Sequence, residues 1–322
     1  MTSILSVHSA ARLAIVLLLS GSFLAAAGQK TSESPNPRVV TTNPILHDMV
    51  LHVGGDRVEA ICLLPPGLDI HSFDPTPATI RDLTDADLLV INGFGLETTL
   101  DPILENADFK GRLVEAAVRS RLISIDPTDH DPLDDHDHHH GPVDPHAWQD
   151  LRNAVTYAEV IRDALIDINP LERDTYLRLT ELYTRELLAL DSWTRRQLLN
   201  LPAGSRSILV SHQGLEYFGR AYGLKIVSVV GLSPYQDPDA RQISAIIDDL
   251  RARRIQGIFV EYGSNQGVIR QIARESGIPV GETLYTGTLG SPGELSATFT
   301  GMFALNVIRI LRILDPEAAT LP

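Results

Sequence analysis

The segment TPATIRDLTDADLLVING, residues 76–93, sets the fold class of this chain. Its first part, 76–86, has the pattern of a helix, and 88–93 is a short apolar run that ends in a glycine turn. A continuous apolar run of this length is typical of a strand that is covered on both faces, as in parallel sheets. A helix that leads into such a strand predicts βαβ units and a mostly parallel α/β sheet.

The alternation of strands and helices extends to both sides of this segment. In the first half of the chain we predict strands at 39–40, 58–64 and 122–125 and helices at 44–53 and 96–107. In the second half we predict strands at 207–212, 225–230, 257–262 and 279–285 and helices at 214–222, 238–253, 267–276 and 294–314. The sequence therefore predicts two α/β lobes, at 38–168 and 203–322.

A long helical region separates these lobes. One helix is predicted at 148–168 and is stopped by Asn169-Pro170, and a second runs over 171–201. The second carries an apolar stripe at helical spacing, formed by Leu179, Leu182, Tyr183, Leu187, Leu190 and Trp193. About thirty residues at 1.5 Å each give a rod of roughly 45 Å. We therefore interpret 169–202 as a rigid connecting helix.

The N-terminus has the layout of a cleavable signal peptide. Arg12 precedes an apolar run at 13–19, and three alanines at 25–27 form a small-residue cleavage site. We expect a signal peptide at 1–27 with cleavage after Ala27, a flexible leader at 28–37, and a periplasmic location. No cysteine lies at the cleavage site directly after the apolar run, so the sequence does not indicate a lipid anchor.

Charge and cysteine content narrow the function classes. The formal net charge of −14 argues against nucleic acid as a partner, because phosphate binding needs a basic surface. Cys62 is the only cysteine, so neither an internal disulfide nor a cysteine-based zinc cluster can form. Any metal site must use histidines and carboxylates.

Three of the 11 histidines are candidate metal ligands: His71, His146 and His212. Each lies at the end of a predicted strand or at the start of a helix, where α/β sheets bind their ligands. Neutral imidazole binds zinc, copper, nickel and iron well. Taken singly, each is equally well explained as a hydrogen-bonded turn residue. His47 and His52 lie within a predicted helix, where ordinary packing or surface roles are expected.

Four segments together resemble the metal-binding solute-binding proteins of ABC importers for zinc and manganese: PPGLDIHSFDP (65–75), VDPHAW (143–148), SHQGLEYFGRAYGL (211–224) and 257–286. The resemblance implies two α/β lobes joined by a long helix, with one metal ion in the cleft between them. It places His71, His146 and His212 at the histidine ligand positions. It further implies a monomer that delivers its ion to an ABC permease in the inner membrane, with no catalytic activity.

The sequence departs from this family at one ligand position. Many members carry an aspartate as fourth ligand, in a segment that corresponds here to Tyr285-Thr286-Gly287-Thr288-Leu289. Gly287 stands in place of that aspartate and has no side chain. Water, another carboxylate or a loop residue must complete the shell, and Glu261 and Glu216 are the candidate fourth ligands.

The tract DHDPLDDHDHHH, residues 129–140, contains five aspartates and five histidines: His130, His136, His138, His139 and His140. Histidine-rich tracts bind metals without fixed geometry. The zinc-specific branch of the family carries such a loop here, so the resemblance favours Zn(II) as the bound ion. We expect an accessory loop that captures zinc or senses its level.

Several other functions are compatible with parts of this pattern. They are a manganese or iron carrier, a surface adhesin, a zinc chaperone or a protein that exchanges zinc with a periplasmic metallochaperone, and a zinc hydrolase with three histidines and an activated water. The hydrolase is disfavoured because the sequence has neither an HExxH motif nor a GxSxG nucleophile turn.

Overall fold

The computed structural model describes residues 35–68, 76–97, 103, 109–124, 143–228, 240–263 and 266–316. The first sheet is fully parallel, with the strand order β2-β1-β3-β4. Its strands are β1 (Arg38–Thr41), β2 (Glu59–Cys62), β3 (Leu88–Ile91) and β4 (Arg112–Glu115). Val40 of β1 lies between Ile61 and Leu89. The helices of this N-terminal lobe are α1 (Pro44–Gly54) and α2 (Pro77–Thr84).

The second sheet is also parallel, with the order β6-β5-β7. Its strands are β5 (Ser207–Val210), β6 (Lys225–Ser228) and β7 (Gly257–Ile258). The remaining helices are α3 (Leu151–Ile168), α4 (Arg173–Leu199), α5 (Glu216–Tyr222), α6 (Ala240–Ala252), α7 (Gln266–Ser276) and α8 (Phe299–Leu314). Two parallel sheets and a long helix between them confirm the predicted α/β class.

The strand predicted at 122–125 is wrong for its described part. Ser124 forms only an isolated antiparallel bridge with Val143, and the strand of this region is β4. Leu122 and Ile123 are apolar because they pack against the core, although they belong to no strand. Strand β4 is a mostly exposed edge strand, so it lacks the apolar run that reveals a buried strand. The helix predicted at 96–107 lies mostly outside the described residues.

The last two predicted strands are shorter than expected. Regular pairing in the segment 257–262 ends at Ile258, and 279–285 joins it only through isolated bridges, Ile258 with Val280 and Glu261 with Leu284. These bridges still run parallel, so 279–285 continues the sheet beyond β7.

Helix α4 packs against both lobes. At 1.5 Å per residue its 27 residues span about 40 Å. The hydrophobic core that surrounds it is continuous, because one cluster includes Val39 of β1, Leu187 of α4 and Ile208 of β5. The C-terminal helix crosses back to the first lobe, where the backbone N–H of Phe299 donates to Asp48 of α1 at 3.0 Å.

The buried face of α4 differs from the predicted stripe. Leu182 is exposed, whereas Thr180, Asp191 and Thr194 are buried. The buried positions keep helical spacing but include polar residues: Tyr176, Thr180, Tyr183, Leu187, Asp191, Thr194 and Leu198. The predicted stripe is therefore wrong at Leu182. The polar residues of the buried face cannot be recognised from an apolar pattern.

Asp191 ties three helices together from this buried face. Its carboxylate faces the guanidinium groups of Arg152 on α3 at 3.3 Å and Arg195 on α4 at 3.0 Å. The hydroxyl of Tyr222 on α5 donates to it at 3.1 Å. Helices α3 and α5 each begin shortly after a candidate histidine, so this ion-pair cluster fixes the position of both histidine-bearing segments.

Candidate metal centre

His146 lies at the entrance to a short 3-10 turn, Ala147–Gln149, that leads into α3. The side chain is buried. Asp144 contacts both the backbone and the ring of His146. Its Oδ1 accepts the backbone N–H of His146 at 2.9 Å and lies 2.8 Å from ring atom Nδ1. An imidazole that donates from Nδ1 carries its lone pair on Nε2, which is the form that binds metal ions.

His212 follows β5 by two residues and is held in the same manner by Glu261. Ring atom Nδ1 lies 2.6 Å from Oε2, and the backbone N–H of His212 donates to Oε1 at 3.0 Å. Gly214 is needed here, because a Cβ at that position would lie 2.7 Å from the imidazole. The ring is half-exposed, so it is the more accessible of the two.

The structure brings these two histidines together. The ring centroids of His146 and His212 are 5.4 Å apart, with the rings nearly perpendicular. The hydroxyl of Tyr217 on α5 donates to the backbone carbonyl of Asp144 at 2.7 Å, which holds the His146 segment against the helix that follows His212. Two imidazoles from different lobes therefore meet, each oriented by its own carboxylate.

His71, the third candidate, lies outside the described residues. The turn that precedes it is described and lies at the C-terminal lobe. The backbone N–H of Gly67 donates to the hydroxyl of Thr288 at 2.8 Å, and a Cβ at Gly67 would meet the ring of Tyr262 at 3.5 Å. The chain thus reaches the segment around Gly287 four residues before His71.

Glu261 was expected as a candidate fourth ligand, and it lies behind His212. Its carboxylate is buried and also accepts the hydroxyls of Ser211 at 3.0 Å and Thr286 at 2.6 Å. Burial acts to raise the pKa of Glu261, but the charge of His212 and the hydrogen bonds from His212 and Thr286 outweigh it and lower the pKa to about 2. The carboxylate therefore stays ionised.

Glu216, the other candidate, begins α5 one turn after His212. Within the described ranges its buried oxygen Oε2 has no hydrogen-bond partner, and neither does Oδ2 of Asp144. Burial, followed by the charge of Asp144, raises the pKa of Glu216 to about 7. Buried polar oxygens without partners are costly, and a bound cation would satisfy them.

Gly287 lies in a segment that the C-terminal helix holds in place. The side chain of Asn306 on α8 accepts from the backbone N–H of Tyr285 at 3.0 Å and donates to its carbonyl at 2.5 Å. Thr286 and Thr288, on either side of Gly287, are buried. The segment is thus fixed at the site without offering a carboxylate.

His47 and His52 have the ordinary roles expected of them. His52 stacks on Tyr183 with ring centroids 4.5 Å apart, and its Nδ1 lies 2.8 Å from the carbonyl of Asp48. Burial lowers the pKa of His47. The stacking on Tyr183 joins α1 to α4, whereas the contact with Asp48 stays within α1.

Sequence reasoning missed the carboxylate of Asp144 and the hydroxyls of Ser211 and Thr286. Asp144 had an available signal, since it lies two residues before a candidate ligand. Ser211 and Thr286 lie 50 and 25 residues from Glu261 in the sequence, so no local sequence pattern indicates these contacts.

Some expectations concern residues that the structure does not describe. They are the signal peptide at 1–27, most of the leader at 28–37 and the accessory loop with His130, His136, His138, His139 and His140. Among the described residues, no three His, Cys, Asp or Glu side chains are grouped to hold a metal ion. In the same part of the chain, no helix has the length and apolarity to cross a bilayer.

The sequence matches the family described as zinc-uptake complex component A, periplasmic, over residues 39–312. Among curated proteins, it is 31% identical to the manganese-binding lipoprotein MntA of Halalkalibacterium halodurans, over 84% of this chain and 86% of that protein. It is 29% identical to the iron-binding protein YfeA of Yersinia pestis, over 85% of each chain.

Solved structures share the fold. The periplasmic zinc-binding protein TroA of Treponema pallidum superposes with a TM-score of 0.76 at 24% identity, over 87% of this chain and 99% of that one. The Mn-bound periplasmic metal-binding protein of Candidatus Liberibacter asiaticus superposes with a TM-score of 0.75 at 23% identity, over 86% and 99%. The names of these relatives divide among manganese, iron and zinc.

Proposed function

Because this chain belongs to the zinc-uptake complex component A family of periplasmic metal-binding proteins, we propose that it carries one Zn(II) ion between its lobes and delivers it to an ABC permease. His71, His146 and His212 are the proposed ligands. The observation that carries the proposal is the meeting of His146 and His212, with ring centroids 5.4 Å apart and a carboxylate on each Nδ1.

The donor set favours zinc. Manganese prefers oxygen ligands, whereas imidazole suits zinc. Gly287 stands where many relatives place an aspartate, so the site loses an oxygen ligand. The two buried carboxylates, Asp144 and Glu261, are turned to the imidazoles and raise their basicity, which strengthens nitrogen ligation.

In this proposal Glu261 orients His212, and Glu216 turns towards the ion to complete the shell, because no three such side chains are grouped among the described residues before the ion binds. Glu261 accepts bonds on both oxygens from protein groups, which leaves it poorly suited to bind a metal ion directly. Glu216 has a buried oxygen without a hydrogen-bond partner in the described part of the chain. Burial raises the pKa of Glu216 to about 7, and the positive charge of a bound cation would act in the opposite direction and favour the ionised carboxylate.

Release to the permease is expected to need only local rearrangement. Helix α4 lies within a core that both lobes share, and the hydrogen bond from Gly67 to Thr288 also links them. A wide hinge opening would have to break this core. We assign the loop at 129–140 an accessory role in capturing zinc.

A manganese or iron carrier is the second candidate function. Two observations favour it: the names of MntA and YfeA, and the oxygens of Glu216 and Asp144 near the imidazoles. The two candidates differ in the coordination preference of the ion, so a direct competition between ions separates them.

Competition between Zn(II) and Mn(II) should favour zinc by at least about 100-fold in Kd, as expected for a nitrogen-rich site. The measurement is isothermal titration of the metal-free mature protein with each ion, with a chelator as competitor for zinc. A Gly287→Asp variant, which restores an oxygen ligand, should narrow the preference. Tighter binding of manganese than of zinc by the unmodified protein would refute the zinc assignment.

A further inference from the structure

Thr286 contacts both halves of the site through two different polar groups. Its backbone carbonyl accepts the indole N–H of Trp148 at 3.0 Å and the side-chain amide of Gln149 at 2.8 Å. Its hydroxyl donates to Oε2 of Glu261 at 2.6 Å. All four side chains are buried. One residue therefore joins the segment of His146 to the carboxylate that holds His212.

The contacts form an unbroken path between the two imidazoles. The ring of His146 packs edge-on against Trp148, with centroids 5.3 Å apart. Trp148 donates to Thr286, Thr286 donates to Glu261, and Glu261 faces Nδ1 of His212 at 2.6 Å. Hydrogen bonds between buried groups strengthen one another in a low-dielectric interior. The path fixes the distance and orientation of His212 relative to His146.

From this geometry we infer that Thr286 is a positioning residue that pre-forms the metal site across the two lobes. The inference rests on the proposed function. Without the hydroxyl, Oε2 of Glu261 loses one of the hydrogen bonds that hold it, so carboxylate and ring can turn together more easily. The ligands must then be ordered when the ion binds, which lowers the affinity.

The test compares Thr286→Val, Thr286→Ser and wild type in zinc titrations and in thermal unfolding of the metal-free protein. Valine has the shape of threonine without the hydroxyl, and serine restores the hydroxyl. We expect Thr286→Val to raise the Kd for zinc about 10-fold, at the lower end for residues that orient ligands. Thr286→Ser should return the Kd to within about 3-fold of wild type, because the serine hydroxyl can again donate a hydrogen bond to the Glu261 carboxylate.

Thr194→Val is the matched control. Thr194 is buried on α4, and its hydroxyl has no hydrogen-bond partner among the described residues. The same substitution there should leave the zinc Kd unchanged. Wild-type affinity in Thr286→Val, or no recovery in Thr286→Ser, would overturn the inference.

A double-mutant cycle separates positioning from a general loss of stability. Thr286 acts through Glu261, so the effects of Thr286→Val and Glu261→Gln on Kd should be clearly less than additive. Additive effects would contradict the path. If wild-type protein binds no zinc, the proposed function and this inference both fail. If wild-type protein binds zinc and Thr286→Val binds it with the same affinity, only this inference fails and the proposed function stands.

Discussion

Replacing His146 or His212 by alanine should weaken zinc binding at least about 100-fold. Structural zinc sites bind with roughly 10–16 kcal/mol, so an even share among four ligands is about 3 kcal/mol each, or about 100-fold in Kd. The rings meet with centroids 5.4 Å apart, so each variant removes one half of the pair. The measurement is zinc titration with a competing chelator at neutral pH.

His52→Ala is the control for the histidine variants. His52 stacks on Tyr183 and bonds to the carbonyl of Asp48 on α1, so its loss affects packing between α1 and α4. The variant should unfold at a lower temperature and keep the wild-type Kd for zinc. Circular dichroism of each metal-free variant identifies any that fail to fold. A folded His146→Ala or His212→Ala protein with wild-type affinity would remove that residue from the ligand set.

Glu261→Gln should lower zinc affinity by about 10–100-fold, the range for groups that orient metal ligands. Glutamine keeps the shape of the side chain but offers an NH₂ group. Ser211 and the backbone N–H of His212 both donate to Oε1, so the amide oxygen is drawn to that side. The NH₂ group then faces Nδ1 of His212 and forces its proton onto Nε2, the atom that should bind the ion.

The control for this variant is Glu282→Gln in the same region of the chain. Glu282 is half-exposed and pairs with Arg309 and Arg312 on α8, so its loss should cost less than about 1 kcal/mol of stability. Zinc affinity should not change. Equal effects of both variants on zinc affinity would mean that Glu261 acts through general charge and not through His212.

The α/β class was predictable from the sequence because its buried strands are continuous apolar runs. The run LLVI at 88–91 became the central strand β3, and SILV at 207–210 became β5. Strand β4, with the sequence RLVE, was missed because an exposed edge strand needs no apolar run. The stripe predicted on α4 is confirmed at Tyr183 and Leu187 but wrong at Leu182. It does not include the polar residues Asp191 and Thr194 that face the core.

The site was predictable in its histidines but less so in its carboxylates. His146 and His212 stand at element ends, which the sequence reveals. Glu261 is a candidate from the sequence because it lies at the end of a predicted strand. Its contact with His212 spans 49 residues, so only the fold shows that it holds the ring. The role of Asp144 could have been predicted from the sequence, because it contacts His146 only two residues away.

One zinc ion should bind where His146 and His212 meet. Anomalous diffraction from zinc-loaded crystals, collected on both sides of the zinc absorption edge, tests it directly. We predict one strong peak at about 2.0–2.1 Å from Nε2 of both histidines, the usual zinc–nitrogen distance. His71 and Glu216 should complete its shell. A zinc peak that contacts neither His146 nor His212 would show that these histidines do not form the metal site.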